Sequence, residues 1–232
     1  MYFDYYYLVL VLPALIFSVW ASTRVNSTFN KYSAVRSRKG YTGRDAAEAV
    51  LRQNGITDVR IEQTTGKLSD HYDPRTKVIR LSDAVYNNTS AAAIGVAAHE
   101  AGHAAQHNQE YAPLKFRNAI IPITNIGSKL AMPLFLLGLI LSSYAEKFIS
   151  IAYIGIICFS LSALFQLLTL PTEFDASKRA LEAIELGGIL DSDERAGAKK
   201  VLSAAALTYV AALAVSLLQL LRLLMIANNR RR

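Results

Sequence analysis

Four predominantly apolar runs, residues 5–21, 120–143, 148–170 and 201–227, constrain this chain more than any other feature it carries. At 17, 24, 23 and 27 residues, each is long enough for a helix to cross a bilayer's hydrocarbon core, so they predict four transmembrane helices. Hydrophobic residues make up 52% of the 232, and it is their clustering that points to a membrane. Tyr5, Tyr6, Tyr7 and Trp20 flank the first run as interfacial aromatics do, and no Lys or Arg precedes it, so it is expected to stay attached as an anchor. The second run is interrupted by Asn125 and Lys129, with Pro122 and Pro133 as expected kinks. A lysine at that depth snorkels, or faces protein or a wet cavity. Gln219 and Arg222 near the end of the fourth run suit a shallow amphipathic ending before Arg230, Arg231 and Arg232.

The net charge of +7 is spread through the polar segments without a basic face interleaved with aromatics, which excludes nucleic acid as the expected partner. Of the 25 Lys and Arg, 14 fall in 23–118 and 5 in 171–200, against Lys147 alone between the second and third runs. The positive-inside rule then places both polar segments in the cytosol of a multi-pass plasma-membrane protein. Both termini fall outside, where the three terminal arginines count against the scheme. Cys158, the single cysteine, lies in an apolar run, so neither a disulfide framework nor a thiolate metal site is expected.

The expected division is a transmembrane helix in 1–22, a small α+β domain in 23–118, a transmembrane hairpin in 119–170, a surface helical segment in 171–200, and a fourth transmembrane helix with basic tail in 201–232. In the α+β domain, 24–39 reads as an interfacial linker. Thr42 caps a short amphipathic helix with Asp45 three residues on and Gly55 as its stop. Residues 59–63, 67–72 and 77–81 read as strands, with Asp73-Pro74-Arg75-Thr76 as turn chemistry between the last two. Ser82 opens a helical turn, and the Ala-rich stretch after Thr89-Ser90 reads as a capped helix.

That last helix carries His99-Glu100-Ala101-Gly102-His103. Residues four apart share a helix face, so both histidines can turn a ring nitrogen to one tetrahedral Zn²⁺. Glu100, at the edge of that face, can take a proton from a zinc-bound water, which is the arrangement of a zinc hydrolase. With four His and nine Glu in the chain, chance would produce this pattern about 0.003 times. A catalytic zinc usually has a third protein ligand. His107 follows on the same helix, where three ligands at i, i+4 and i+8 do not converge, and His71 lies in the strand region. Glu173 is the better candidate: two spans separate it from His103, and an even number of crossings returns the chain to the same side.

The runs Asp70-His71-Tyr72-Asp73-Pro74, Ile79-Arg80-Leu81-Ser82, His99-Glu100-Ala101-Gly102-His103-Ala104 and Glu173-Phe174-Asp175-Ala176-Ser177 resemble the YugP family of neutral zinc metallopeptidases of bacterial membranes. The likeness covers nearly the whole chain. More distantly it is similar to the HtpX and CAAX-prenyl-protease group of membrane zincins, where a later glutamate completes the zinc site. The resemblance implies a zincin-like domain, His99, His103 and Glu173 as zinc ligands, and Glu100 as catalytic base. The HtpX group carries an aspartate four residues after its ligand glutamate; here Ser177 stands in that place, and Asp175 lies two residues earlier. Either could orient a ligating histidine.

The reading is a membrane-embedded zinc endopeptidase acting on membrane or membrane-proximal proteins, with protein substrate and lipid bilayer as partners. His71, Tyr72 and Arg179 are candidates to steady the oxyanion. By resemblance to other zincins, 77–81 is the strand along which an extended substrate lies. A zinc-binding scaffold without catalysis and a hydrolase of non-peptide amides are the competing readings; the intact Glu100 speaks against the scaffold, since a structural zinc needs no base beside it.

Overall fold

The computed structural model describes residues 5–66 and 69–230. Lys67 and Leu68, which open the second expected strand, and Arg231 and Arg232 of the basic tail lie outside the described residues. The described residues are mostly helical with one small sheet, and the chain divides into two compact units. One comprises the chain up to residue 20, 116–170 and from 208 onward; the other comprises 21–115 and 171–207.

Each apolar run falls in one helix long and apolar enough to cross a membrane: Tyr7–Ser33, Ala112–Ser142, Glu146–Leu186 and Ser192–Asn229. The helices outrun the predicted spans. Helix α1 (Leu12–Ser33), preceded by a π-helical turn at Tyr7–Val11, continues through much of the stretch expected as a linker. Helix α5 (Ile149–Leu186) continues past Pro171, where the sequence suggested that one helix ends and another opens. Pro171 has no N–H for the carbonyl four residues back, but the residues after it are good helix formers. Extending an existing helix past one lost bond is cheaper than nucleating a new one. Helix α4 (Ala112–Ser142) likewise contains Pro122 and Pro133, and α6 (Ser192–Asn229) starts well before the fourth apolar run.

In the first unit, α4 and α5 pack through small residues. Thr124, Gly127, Ala131, Phe135 and Gly138 form one buried row on α4. A Cβ on Gly127 would come within 3.0 Å of the Cys158 carbonyl, and one on Gly155 within 2.7 Å of the Ala131 carbonyl, so the backbones touch where side chains are missing. Phe135, Ala152, Ile156 and Leu223 are the buried centre of this unit. Such close approach is how helices gain packing energy where lipid removes the hydrophobic drive.

The second unit holds the sheet. Helix α2 (Gly43–Gln53) starts at the capping box the sequence announced, with Thr42 Oγ1 accepting from Asp45 N at 3.1 Å and Asp45 Oδ2 from Thr42 N at 2.9 Å. It ends at Gly55, whose φ of +67° lets Ile56 N close back on the Leu51 carbonyl at 2.9 Å. Strands β1 (Arg60–Thr64), β2 (His71–Asp73) and β3 (Val78–Ser82) form a sheet in the order β1-β3-β2. The expected hairpin is β2–β3, its turn held by Asp73 accepting from Arg75 N and Thr76 Oγ1. β1 joins the far side of β3 in parallel. β3 therefore has both edges occupied, which corrects its expected role as the strand that an extended substrate would pair with; β1 and β2 are the edge strands.

Helix α3 (Ala91–Asn108) begins where Ser90 Oγ accepts Ala93 N at 3.2 Å, and α2 packs against it. The core here is largely alanine from α2, α3, the end of α5 and the start of α6, with Ile79, Leu81, Ile94, Ile184 and Ile189 among its fully buried large side chains. Each of those contributes about 1.5–3 kcal/mol by leaving water.

Candidate metal centre

Small residues let α3 and the last part of α5 approach. A Cβ on Gly102 would stand 2.7 Å from the Ala176 carbonyl oxygen, so only glycine permits this spacing. The approach brings Glu173 to the face of α3 that carries the two histidines. His99 Nε2 lies 3.3 Å and His103 Nε2 3.5 Å from the same oxygen, Glu173 Oε2. Their rings are 4.7 Å apart at 79°. Glu173 is buried and both histidines nearly so. Among the described residues these three form the one group of His, Cys, Asp and Glu side chains placed to hold a metal ion.

The donor set fits zinc by size. Bonds of about 2.0–2.2 Å in a tetrahedron separate neighbouring ligand atoms by about 3.3 Å. The two nitrogen-to-oxygen separations observed match that edge. The tautomers fit as well, because each Nδ1 has an oxygen to donate to and each Nε2 lone pair is left for the centre. His99 Nδ1 faces Ser177 Oγ at 3.1 Å, and His103 Nδ1 faces Gln106 Oε1 at 3.0 Å.

Gln106 was not singled out by the sequence. It is fully buried, and its amide donates to the Thr172 carbonyl at 2.7 Å and to Asp175 Oδ2 at 2.8 Å. Arg179 Nε donates to the same Asp175 oxygen at 2.6 Å, and its guanidinium also reaches Gln109 Oε1. Thus Ser177 contacts His99 directly, whereas Asp175 bears on His103 only through Gln106. A glutamine one turn after a ligating histidine was the available signal.

Glu100 points to the sheet. Its Oε2 accepts the main-chain N–H of Tyr72 at 3.0 Å, a donor no sequence pattern displays. Strand β2 is held in turn by Asp70, which accepts from Ser82 N at 2.7 Å and Ser82 Oγ at 3.0 Å. Burial, offset by those two bonds and reinforced by the charge of Glu100, pushes the Asp70 carboxyl up.

The other expected residues sit elsewhere. His71 is exposed and donates from Nδ1 to the Ser69 carbonyl at 2.8 Å. His107 receives the Tyr72 hydroxyl at 2.8 Å. Burial, with Asp58 and Asp73 nearby, raises the Tyr72 phenol to about 12, so it stays a neutral donor. The structure brings neither histidine to the metal group. Arg179, a candidate for the oxyanion, is committed to Asp175 and Gln109.

Comparison with known proteins agrees with this chemistry. Residues 7–228 match the family model described as "Putative neutral zinc metallopeptidase". The chain is 47% identical over 225 residues to "Putative membrane protease YugP" of Bacillus subtilis (strain 168), covering 97% of this chain and 98% of that protein. No solved structure gives a significant match.

Proposed function

Since the chain belongs to this family of neutral zinc metallopeptidases, we propose that it is a membrane-embedded zinc endopeptidase with a zincin-like catalytic portion formed by 23–118 and 171–200. The observation that carries the reading is one carboxylate oxygen shared by two histidine nitrogens at 3.3 and 3.5 Å, with a further carboxylate, Glu100, beside the first histidine in sequence. His99, His103 and Glu173 would hold the ion. Zinc bound there supplies a Lewis acid for the scissile carbonyl and lowers the pKa of a water.

The chain's own residues do the rest. Glu100, steadied by the Tyr72 N–H, takes a proton from the attacking water and returns it to the leaving amine. Ser177 and Gln106 fix the two imidazoles with Nε2 toward the centre. Tyr72 and His71, on the strand that meets Glu100, are the candidates kept for steadying the oxyanion, and for this the Tyr72 hydroxyl would have to leave His107. Substrates would be membrane or membrane-proximal proteins of the plasma membrane of a bacterium, cleaved on the cytosolic side, a reading that the excess of Lys and Arg in both polar segments supports.

The test is proteolysis of an unfolded protein such as casein by the purified chain, set against hydrolysis of small amides. Chelator-sensitive casein cleavage that zinc restores and Glu100→Gln lacks supports the reading. Chelator-sensitive turnover of amides alone would redirect it to a non-peptide substrate, and absence of both would leave a zinc-binding scaffold.

A further inference from the structure

Lys129 is exposed on α4 and has no hydrogen-bond or ion-pair partner among the described residues. Its depth follows from the packing of its own unit. Gly127 lies against the Cys158 carbonyl and Ala131 against Gly155, so Lys129 is level with 155–158 of α5. Those residues are in the interior of the apolar run 148–170. At 1.5 Å per residue they stand roughly 10–15 Å from one end of it and roughly 18–22 Å from the other. A lysine stem reaches about 6 Å, too little to carry the ammonium to either boundary. Snorkelling is therefore removed as an explanation.

The charge is also part of a row. Asn118, Pro122, Asn125 and Lys129 are all exposed and follow at steps of four, three and four, one line along the helix. Beyond Lys129 the same line continues as exposed Met132 and Leu136. It lies opposite the buried row from Thr124 to Gly138 that packs on α5, so the fold does not use it. Half of this face offers the Asn125 amide and a cation inside the apolar run, and half is apolar. Lipid satisfies only the second half, and an ammonium facing lipid at mid-depth is costly.

We infer that this face of α4 docks a transmembrane helix of another protein that carries a carboxylate near the middle of its span. Charge complementarity selects that occupant: the row contains Lys129 and no acidic residue, so a second copy of the chain in symmetric contact would set lysine against lysine. The inference rests on α4 and α5 crossing the bilayer and is independent of the proteolytic chemistry.

The experiment uses the full-length chain in Glu100→Gln background, in phosphatidylcholine vesicles, with labelled synthetic Leu/Ala transmembrane peptides carrying Glu, Gln or Leu at the centre. Association is read by energy transfer, so the outcome does not depend on cleavage. The Glu peptide should bind at least about fivefold more tightly than the Leu peptide, with Lys129→Leu abolishing the difference. Lys129→Glu should transfer the preference to a Lys-centred peptide. Equal binding of the Glu and Leu peptides, or a Glu preference kept by Lys129→Leu, would overturn the proposal. So would self-association of the chain that disappears in Lys129→Leu, which would assign the face to a second copy.

Discussion

Gln106 Oε1 stands 3.0 Å from His103 Nδ1, and the amide nitrogen of the same side chain donates to Asp175. A neutral amide thus stands between the imidazole and the carboxylate, and Arg179 fixes the carboxylate from the other side. Replacing Gln106 by Leu removes the acceptor for His103, and zinc affinity should fall about 10–100-fold. Competition with a chromophoric chelator measures it. Ser177→Ala, which takes one hydroxyl from His99, should cost less; an unchanged affinity in Gln106→Leu would separate the amide from the metal centre.

Gly102 permits the contact that delivers Glu173 to α3. Gly102→Ala places a methyl group against the Ala176 carbonyl and should destabilise the fold by about 1–3 kcal/mol. The same change should weaken zinc binding, because relieving the clash moves Glu173 away from both histidines. Thermal unfolding in detergent, run with and without zinc, reports both effects; a variant of native stability and affinity would show that the helices need not approach so closely.

Asp70 has a carboxyl pKa above its unfolded value, chiefly from burial. The folded state then holds this proton more tightly than the unfolded one. The contribution of the group is full below its ordinary pKa of about 3.9 and is lost as pH rises through the raised value. Asp70→Asn, neutral throughout, should flatten that loss when unfolding midpoints are compared across the acid range. A wild-type slope retained in the variant would assign it to another group.

Much of this was legible in the residues. His99, Glu100 and His103 announce themselves because a helix converts spacing directly into a shared face, and Thr42, Asp45 and Gly55 mark α2 because caps are local. Glu173 could be named from chain topology. Gln106 could not be weighted, since its value depends on the fold bringing Thr172 and Asp175 to it. The Tyr72 N–H belongs to every residue's backbone and becomes specific only once β2 lies beside α3. The parallel pairing of β1 with β3 is likewise nonlocal, and the continuity of α5 through Pro171 reflects a whole helix outweighing one residue's preference.

The charge counts predict that both polar segments lie on one side of the membrane, the cytosol. Single cysteines at Thr65 and Ser192 in Cys158→Ser background should resist a membrane-impermeant thiol reagent in intact cells and react after lysis. Labelling of both in intact cells would place the candidate centre outside.

Zinc content of purified variants bears most directly on the assignment of His99, His103 and Glu173 as the metal ligands. His99→Ala, His103→Ala and Glu173→Ala should each lose most bound zinc, while His71→Ala, His107→Ala and Glu100→Gln keep it and Glu100→Gln loses turnover. Near-stoichiometric, tightly held zinc in Glu173→Ala would contradict the account.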